Sequence, residues 1–527
     1  MRNLLPSLNN NKNSRSKQIP SKSITARIGA LLPLLLAVWL ANSVAQNEAD
    51  QDPGLKPFAE DYELKLLGKF LFFDTISNPE SISCVSCHDP LTGGTGPTSS
   101  INASQVVMPG AKPHSAGILK PPTNAYATMI PPFKELGFPK CNNPLGFCGG
   151  NFWNGRSVGF GGKTLTNSTA IVTPAALGAM QQYEKYLGPT ADQALNPFLN
   201  TDEHNISPVE VCEHVKNKDY AALYELAWKE PVKCDAANAD ASFQRIGVAL
   251  SAYQASKDMN SFSSKRDAAL KRELAGVDVD DSPGAFPLVG LSEQENRGHD
   301  LFFGIKSPRN PEGKDAKCGI CHLSDREHPD GNGLFERFAD DAYHNIGTPK
   351  NFKLANAEVS GFEGLAGHTG NVSHVGMRKA PTLRNVDKRP GENFVKAFGA
   401  NGWFKSLESI THFYNTSFLG NCVISEGEDC SDEEEFTYEQ TTAAALGVTR
   451  CPPAITEEAE ALRNNCWPAP EFPDTIAPLV LVGSLGLTLQ DETDIVAYMK
   501  TFSDQYTAQA PQPRDLQEAL LLYPVDD

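Results

Sequence analysis

Apolar residues recur at helical spacing in four places along the chain. Leu64, Leu67 and Leu71 share one face of a first predicted helix, and Phe243, Ile246, Leu250 and Tyr253 share one face of a second. Ser292, followed three residues later by Glu295, forms a capping box that opens a third. Ile495, Tyr498, Met499 and Phe502 line a face of a fourth, with Thr488 where its N-cap belongs. The first and third helices end in related strings. Gly68-Lys69-Phe70-Leu71-Phe72-Phe73 is echoed by Gly298-His299-Asp300-Leu301-Phe302-Phe303 at a constant offset of 230 residues. A glycine on such a helix lets another helix or a flat cofactor come close. The pattern predicts a mostly α fold of two similar halves arising from an internal duplication, each opening and closing with a helix.

Breaker residues divide these halves. Asp278, Asp280, Asp281, Pro283, Gly284 and Pro287 mark 271–290 as a linker, giving domains at 46–270 and 291–527. Thirty-eight Pro and 42 Gly call for long loops. Residues 157–187 are rich in Gly, Thr and Ala. Residues 421–475 hold four cysteines and the run Asp432-Glu433-Glu434-Glu435, which reads as a solvated face rather than a partner site.

Charge changes the picture at the start of the chain. Arg2, Lys12, Arg15, Lys17, Lys22 and Arg27 precede an apolar stretch from Ile28 to Leu40 and the small-residue pattern Ser43-Val44-Ala45. This is the layout of a signal peptide over 1–45 and points to the periplasm. The stretch is short for a membrane span, so a membrane association would require that it stays uncleaved. Without these six basic residues the net charge falls from -18 to -24. A chain this acidic, with no basic run in its mature part, excludes nucleic acid as a partner and would steer a basic redox protein toward itself.

Two strings carry the chemistry. Cys84-Val85-Ser86-Cys87-His88 and Cys318-Gly319-Ile320-Cys321-His322 both read C-x-x-C-H. In that pattern two thiols form thioethers with haem and the adjacent His reaches the iron. A zinc or redox pair is the alternative for C-x-x-C, and the His after each pair argues against it. Two covalent haem c groups are therefore expected, with Cys84, Cys87, Cys318 and Cys321 as attachment points and His88 and His322 as iron ligands. The other eight of the 12 cysteines suit disulfides in an exported chain. Neighbour pairing would give Cys141–Cys148, Cys212–Cys234, Cys422–Cys430 and Cys451–Cys466, among many possible connectivities.

Around these motifs the chain resembles the dihaem cytochrome c peroxidase family, MauG-like enzymes included. The resemblance covers most of 55–505. It is carried by Leu71-Phe72-Phe73-Asp74 leading into the first haem motif, and by Phe152-Trp153-Asn154-Gly155-Arg156, close to the family's F-W-D-G-R. Asp192-Gln193-Ala194-Leu195-Asn196-Pro197-Phe198-Leu199-Asn200 running to Glu203 is a third mark. Ala380-Pro381-Thr382-Leu383-Arg384-Asn385-Val386, then Leu407-Glu408 to Phe413-Tyr414-Asn415, complete the series.

The resemblance implies a peroxide-reactive haem on His88, with Glu203 as proton shuttle and Gln193 orienting peroxide. Taken alone, both would read as ordinary polar loop residues. Trp153 would lie between the haems and couple them; it also reads as a core aromatic. The His322 haem would receive or share electrons. Its sixth ligand is Met in many family members; this chain has Tyr414 at the matching place, the MauG-like choice, with Met377 and His412 as competitors. His114 is a candidate for the His that closes the resting first haem. The chain departs from the family in two ways. His204 follows Glu203 where the family has Met. The Asn that helps hold an inter-haem calcium has no counterpart near Pro122-Thr123, which leaves Ca2+ open. The implied activity is reduction of hydrogen peroxide with electrons from a small c-type cytochrome or copper protein, or MauG-like oxidation of a protein substrate. A dihaem electron-transfer cytochrome without peroxidase activity is the alternative.

Overall fold

The computed structural model describes residues 54–137, 141, 146–274, 288–323, 336–354, 363–417, 441–476 and 482–523. The expected signal peptide, residues 275–287 of the expected linker, Cys422, Cys430 and the acidic run 432–435 lie outside them. The structure is mostly helical. Its longer helices are α1 (Tyr62–Phe73), α2 (Pro189–Leu199), α3 (Pro208–Lys216), α4 (Ala221–Trp228), α5 (Ala239–Gln254), α6 (Lys265–Leu274), α7 (Glu293–Phe303), α8 (Leu407–Thr416), α9 (Leu489–Lys500) and α10 (Pro513–Leu522). None of the described helices is long and apolar enough to cross a membrane.

The glycine repeat has a physical reason. A Cβ on Gly68 of α1 would meet the Ala249 carbonyl oxygen of α5 at 1.9 Å and Tyr253 Cβ at 2.8 Å. A Cβ on Gly298 of α7 would meet the Asp494 carbonyl oxygen of α9 at 2.0 Å and Tyr498 Cβ at 2.8 Å. The same close crossing of an opening helix on a closing helix is thus made twice, and only glycine permits it.

Each crossing seeds a hydrophobic cluster. Leu64, Leu67 and Leu71 of α1 meet Phe243, Ile246, Leu250 and Tyr253 of α5, joined by side chains of α2, α3 and α4. Leu301 and Phe302 of α7 meet Ile495, Tyr498 and Met499 of α9, with Phe413 of α8, Trp403 and Trp467. Burying each such side chain contributes about 1.5–3 kcal/mol. Phe502 lies past the end of α9 but stays buried, stacked on Phe338 at 4.0 Å between ring centroids. The expected caps form: Ser292 with Glu295 opens α7, and Thr488 with Asp491 opens α9.

Two elements cross between the clusters. Helix α10 covers the first cluster, burying Ala519 there. Arg384, wholly buried, pairs its two terminal nitrogens with the Asp267 carboxylate of α6 at 2.7 and 2.6 Å and reaches Asp504 at 3.0 Å and Tyr126 Oη at 3.0 Å. Here the Thr382-Leu383-Arg384-Asn385 string ties the segment after the second haem motif to residues from both halves.

The strands are two-residue ladders. β1 (Lys134–Glu135) with β2 (Phe147–Cys148), and β3 (Tyr343–His344) with β4 (Arg378–Lys379), are antiparallel; β5 (Thr449–Arg450) with β6 (Cys466–Trp467) is parallel. Disulfides join Cys141 to Cys148, Cys212 to Cys234 and Cys451 to Cys466. These are three of the four neighbour pairings; the fourth lies outside the described residues. Cys84, Cys87, Cys318 and Cys321 form no disulfide.

Candidate active site

Each C-x-x-C-H string turns back at its histidine and opens on a cavity. The first cavity is lined by Cys84, Cys87, His88, Trp153, Arg156, Gln193, Glu203 and His204, among others. The second is lined by Cys318, Cys321, His322, Trp153 and Tyr414, among others. The empty space is about 1120 Å³ in the first and 1890 Å³ in the second, the open solvent at their mouths included.

The two histidines are oriented alike. His88 Nδ1 lies 3.0 Å from the Gly94 carbonyl oxygen, and His322 Nδ1 lies 2.9 Å from that of Phe338. A carbonyl only accepts, so Nδ1 carries the proton in both rings. Nε2 is left with its lone pair, the form that ligates a metal. Burial strengthens this by pushing His88 down to about 4 and His322 below its usual range. Burial also pushes the Cys84, Cys87 and Cys318 thiols up to about 12. Paired free thiols, a neutral imidazole beside each pair and a large cavity against them fit a haem in both places.

Helix α2 and the turn after it build the polar side of the first cavity. Asp192, the residue before Gln193, accepts backbone hydrogen bonds from Gly159 at 2.8 Å and Val172 at 2.7 Å. The segment 157–187 is therefore anchored on α2 and fixes where Gln193 sits. Glu203 follows one turn later. Burial pushes its carboxyl above the ordinary carboxylate range, against the opposing pull of the Arg156 guanidinium and an Asn200 hydrogen bond. Arg156 is itself positioned by stacking on Phe152, 3.7 Å from the ring centroid. His204 lines the same cavity, but its Nδ1–H donates to the Ile76 carbonyl at 2.6 Å and its ring packs on Phe198. His114 is exposed and stands outside the cavity lining.

Trp153 borders both cavities and is buried. Lys120 borders both as well, with burial pushing its ammonium down to about 8. At the second cavity the competition for an iron ligand is narrowed by packing. Tyr414 lines the cavity, and among the described residues none hydrogen-bonds its hydroxyl. Met377 packs instead with Phe133, Phe147 and Leu365. His412 is held by the Glu492 carboxylate at 3.0 Å and by the Trp467 ring. Met499 lines the second cavity too, a residue that sequence reasoning assigned only to a helix face. Arg156 and Lys120 were likewise missed as cavity residues. The position of Arg156 in the Phe-Trp-Asn-Gly-Arg string was the available signal for the first.

The arrangement is that of a mostly helical protein with two cavities, each against a C-x-x-C-H string, with a buried carboxyl at one cavity and an aromatic side chain bordering both. Solved structures share the fold: the diheme peroxidase BthA from Burkholderia thailandensis superposes with a TM-score of 0.55 at 22% identity, covering 88% of this chain and 92% of that one. A point variant of the same peroxidase gives 0.54 at 23% identity over 88% and 91%. In sequence, the methylamine utilization protein MauG of Paracoccus denitrificans is 26% identical over 399 residues, 74% of this chain and 81% of that protein. Residues 63–275 match the profile of the di-haem cytochrome c peroxidases. The chain is thus similar to dihaem cytochrome c peroxidases and MauG-like enzymes, over residues 63–275 for the first and over 74% of its length for MauG.

Proposed function

We propose that the protein is a periplasmic dihaem c-type oxidoreductase that reduces hydrogen peroxide. The observation carrying this reading is that Gln193 and Glu203 share a cavity lining with His88. Haem would be held by Cys84, Cys87 and His88 at one site and by Cys318, Cys321, His322 and Tyr414 at the other. When bound, the haem irons supply the electrons that cleavage of the peroxide O–O bond consumes.

The chain's own residues supply the protons and the order. Glu203 takes the proton from the near peroxide oxygen and delivers it to the far one, which departs as water; two electrons and two protons in total convert one peroxide to two waters. A general acid–base group works best when its pKa lies near the working pH, and burial moves Glu203 in that direction. Arg156 keeps the ionised form accessible, so the carboxyl can act in both directions. Gln193, on a helix fixed through Asp192, orients the peroxide. Trp153 couples the two sites.

Electrons come from a small c-type cytochrome or copper protein, basic enough to be steered by an acidic surface. The second enzyme reading is MauG-like: the oxidising equivalents are drawn from a residue of a protein substrate, and Tyr414 as ligand favours it. The non-enzymatic alternative, a dihaem electron carrier, has no use for Gln193 and Glu203. The duplicated glycine crossing supports two cytochrome c-like halves, near 46–270 and 291–527, derived from one ancestral unit. The experiment is a peroxide titration of the holoprotein followed by optical spectroscopy, then steady-state turnover with reduced cytochrome c. No spectral response to peroxide leaves the carrier reading. A response without cytochrome oxidation leaves the MauG-like one.

A further inference from the structure

Lys396 is 5% exposed, and its ammonium lies where three backbone carbonyls converge. Nζ donates to the carbonyl oxygens of Thr92 at 2.9 Å, Asn385 at 2.7 Å and Lys388 at 3.0 Å. An ammonium has three N–H donors, and all three are used. Burial first, and then the nearby Lys120 ammonium, pull this group well below the usual lysine range; three accepting carbonyls oppose that, because a neutral amine has only two N–H donors to offer them.

The three carbonyls belong to different structural tasks. Thr92 closes the turn that follows the first haem motif. Two residues on, the Gly94 carbonyl fixes the His88 ring. Asn385 and its neighbours Leu383, Arg384 and Val386 line the second cavity, as does Lys396. The two segments are in direct contact, since a Cβ on Gly93 would meet Asn385 Cβ at 2.6 Å. Lys396 therefore joins the loop that orients His88 to the wall of the other cavity.

The inter-haem calcium of the resembled family, left open by the missing Asn, does not fit here. Calcium takes six to eight oxygen ligands at about 2.3–2.6 Å, carboxylates among them. The convergent carbonyls are already taken by Lys396. The nearby Asp387 carboxylate is paired with Arg389. The Asn385 amide group is committed to Asp504, donating to its carboxylate at 2.9 Å and accepting from its backbone N–H at 2.7 Å. A divalent ion would have to displace a buried ammonium or sit against its charge.

We propose that Lys396 is a built-in cation: it is the positioning residue that locks the His88 loop to the second cavity's wall, and it makes this junction independent of calcium. The spectroscopic part of the test rests on the two-haem reading; metal content and melting do not.

The test starts with the wild-type holoprotein. Metal analysis should find no stoichiometric calcium, and neither EGTA nor added Ca2+ should move Tm or the absorption bands of either haem. Stoichiometric calcium, or a shift on chelation, overturns the proposal without any variant. Lys396→Met should then keep both haems attached, lower Tm and slow electron transfer between them. Lys396→Ala supplied with propylammonium should recover part of the lost Tm. A Lys396→Met protein with wild-type Tm and wild-type inter-haem transfer also overturns it. If neither variant folds, the wild-type metal analysis alone decides. A protein found to lack haem fails the function proposed above, while the calcium and melting results still judge Lys396.

Discussion

The indole N–H of Trp153 donates to the backbone carbonyl of Lys120 at 2.8 Å, and the Lys120 ammonium sits 5.9 Å from the centre of the same ring. The aromatic group bordering both cavities is thus fixed in plane by one end of a residue and faced by the positive charge of the other.

This pairing makes Trp153→Phe an informative variant. Phenylalanine fills most of the space but lacks the N–H and is harder to oxidise. Both haem absorption spectra should survive, while electron transfer between the haems slows. Freeze-quench EPR and stopped-flow spectroscopy after a peroxide pulse would show it. Equal transfer rates in variant and wild type would reduce Trp153 to packing.

Glu203→Gln should leave haem content unchanged and slow the reaction with peroxide. Acid–base groups of this kind contribute typically ~10²–10⁴-fold. The sign of the pH dependence follows from the raised pKa. The carboxylate is the form that first accepts a proton, so the wild-type rate should fall as pH drops through that raised value. The variant should lose this limb of the profile. If the limb persists, another group, with His204 the nearest candidate, shuttles the proton.

Tyr414→Phe separates the two enzyme readings. A phenolate ligand stabilises ferric over ferrous iron, and a Met thioether does the reverse. Redox titration should show the second haem at low potential in wild type, resistant to ascorbate, and shifted upward in the variant. An unchanged potential and ligand-field spectrum would make Tyr414 a packing residue and turn attention to Met499.

Gly298→Ala tests the helix crossing. The added methyl would meet the Asp494 carbonyl oxygen at 2.0 Å, so backbone must move. Overpacking of this kind costs typically about 1–3 kcal/mol. Gly68→Ala should behave alike. Unaltered melting temperatures in both would mean that the helices separate at little cost.

Arg384→Met would strand Asp267 and Asp504 in the interior. Breaking a buried ion pair from one side destabilises by about 3–5 kcal/mol. Denaturant unfolding should move accordingly, and Arg384→Lys should recover little of the loss, because the guanidinium meets Asp267 through two nitrogens at once.

What the sequence disclosed depended on whether the cause was local. The capping box of Ser292 and Glu295 and the Leu64, Leu67, Leu71 face act within a turn or two of helix, so both could be read directly. The C-x-x-C-H strings are local for the same reason. Gln193 and Glu203 were legible only through a resemblance, since nothing about a polar residue on a helix or in the turn after it announces the cavity it borders. Lys120 and Lys396 left no trace. Lysine is rarely buried, and the carbonyls that satisfy Lys396 are backbone groups, where any side chain would do, one of them, Thr92, 304 residues away. Tyr414 stood at the matching place with Met377 and His412 as competitors; Met377 and His412 turned out to be engaged elsewhere by Phe133 and Glu492. The docking of α10 on the first cluster was equally hidden, because its apolar residues do not say which core they cover.

That docking sets an order of assembly. Chains are made from the N-terminus onward and halves tend to fold as they emerge. Here the lid over Tyr62 and its neighbours is synthesised last among the described helices. The first half must therefore wait, incompletely covered, until the second has been made. Until then the Tyr62 end of the first cluster stays open to solvent.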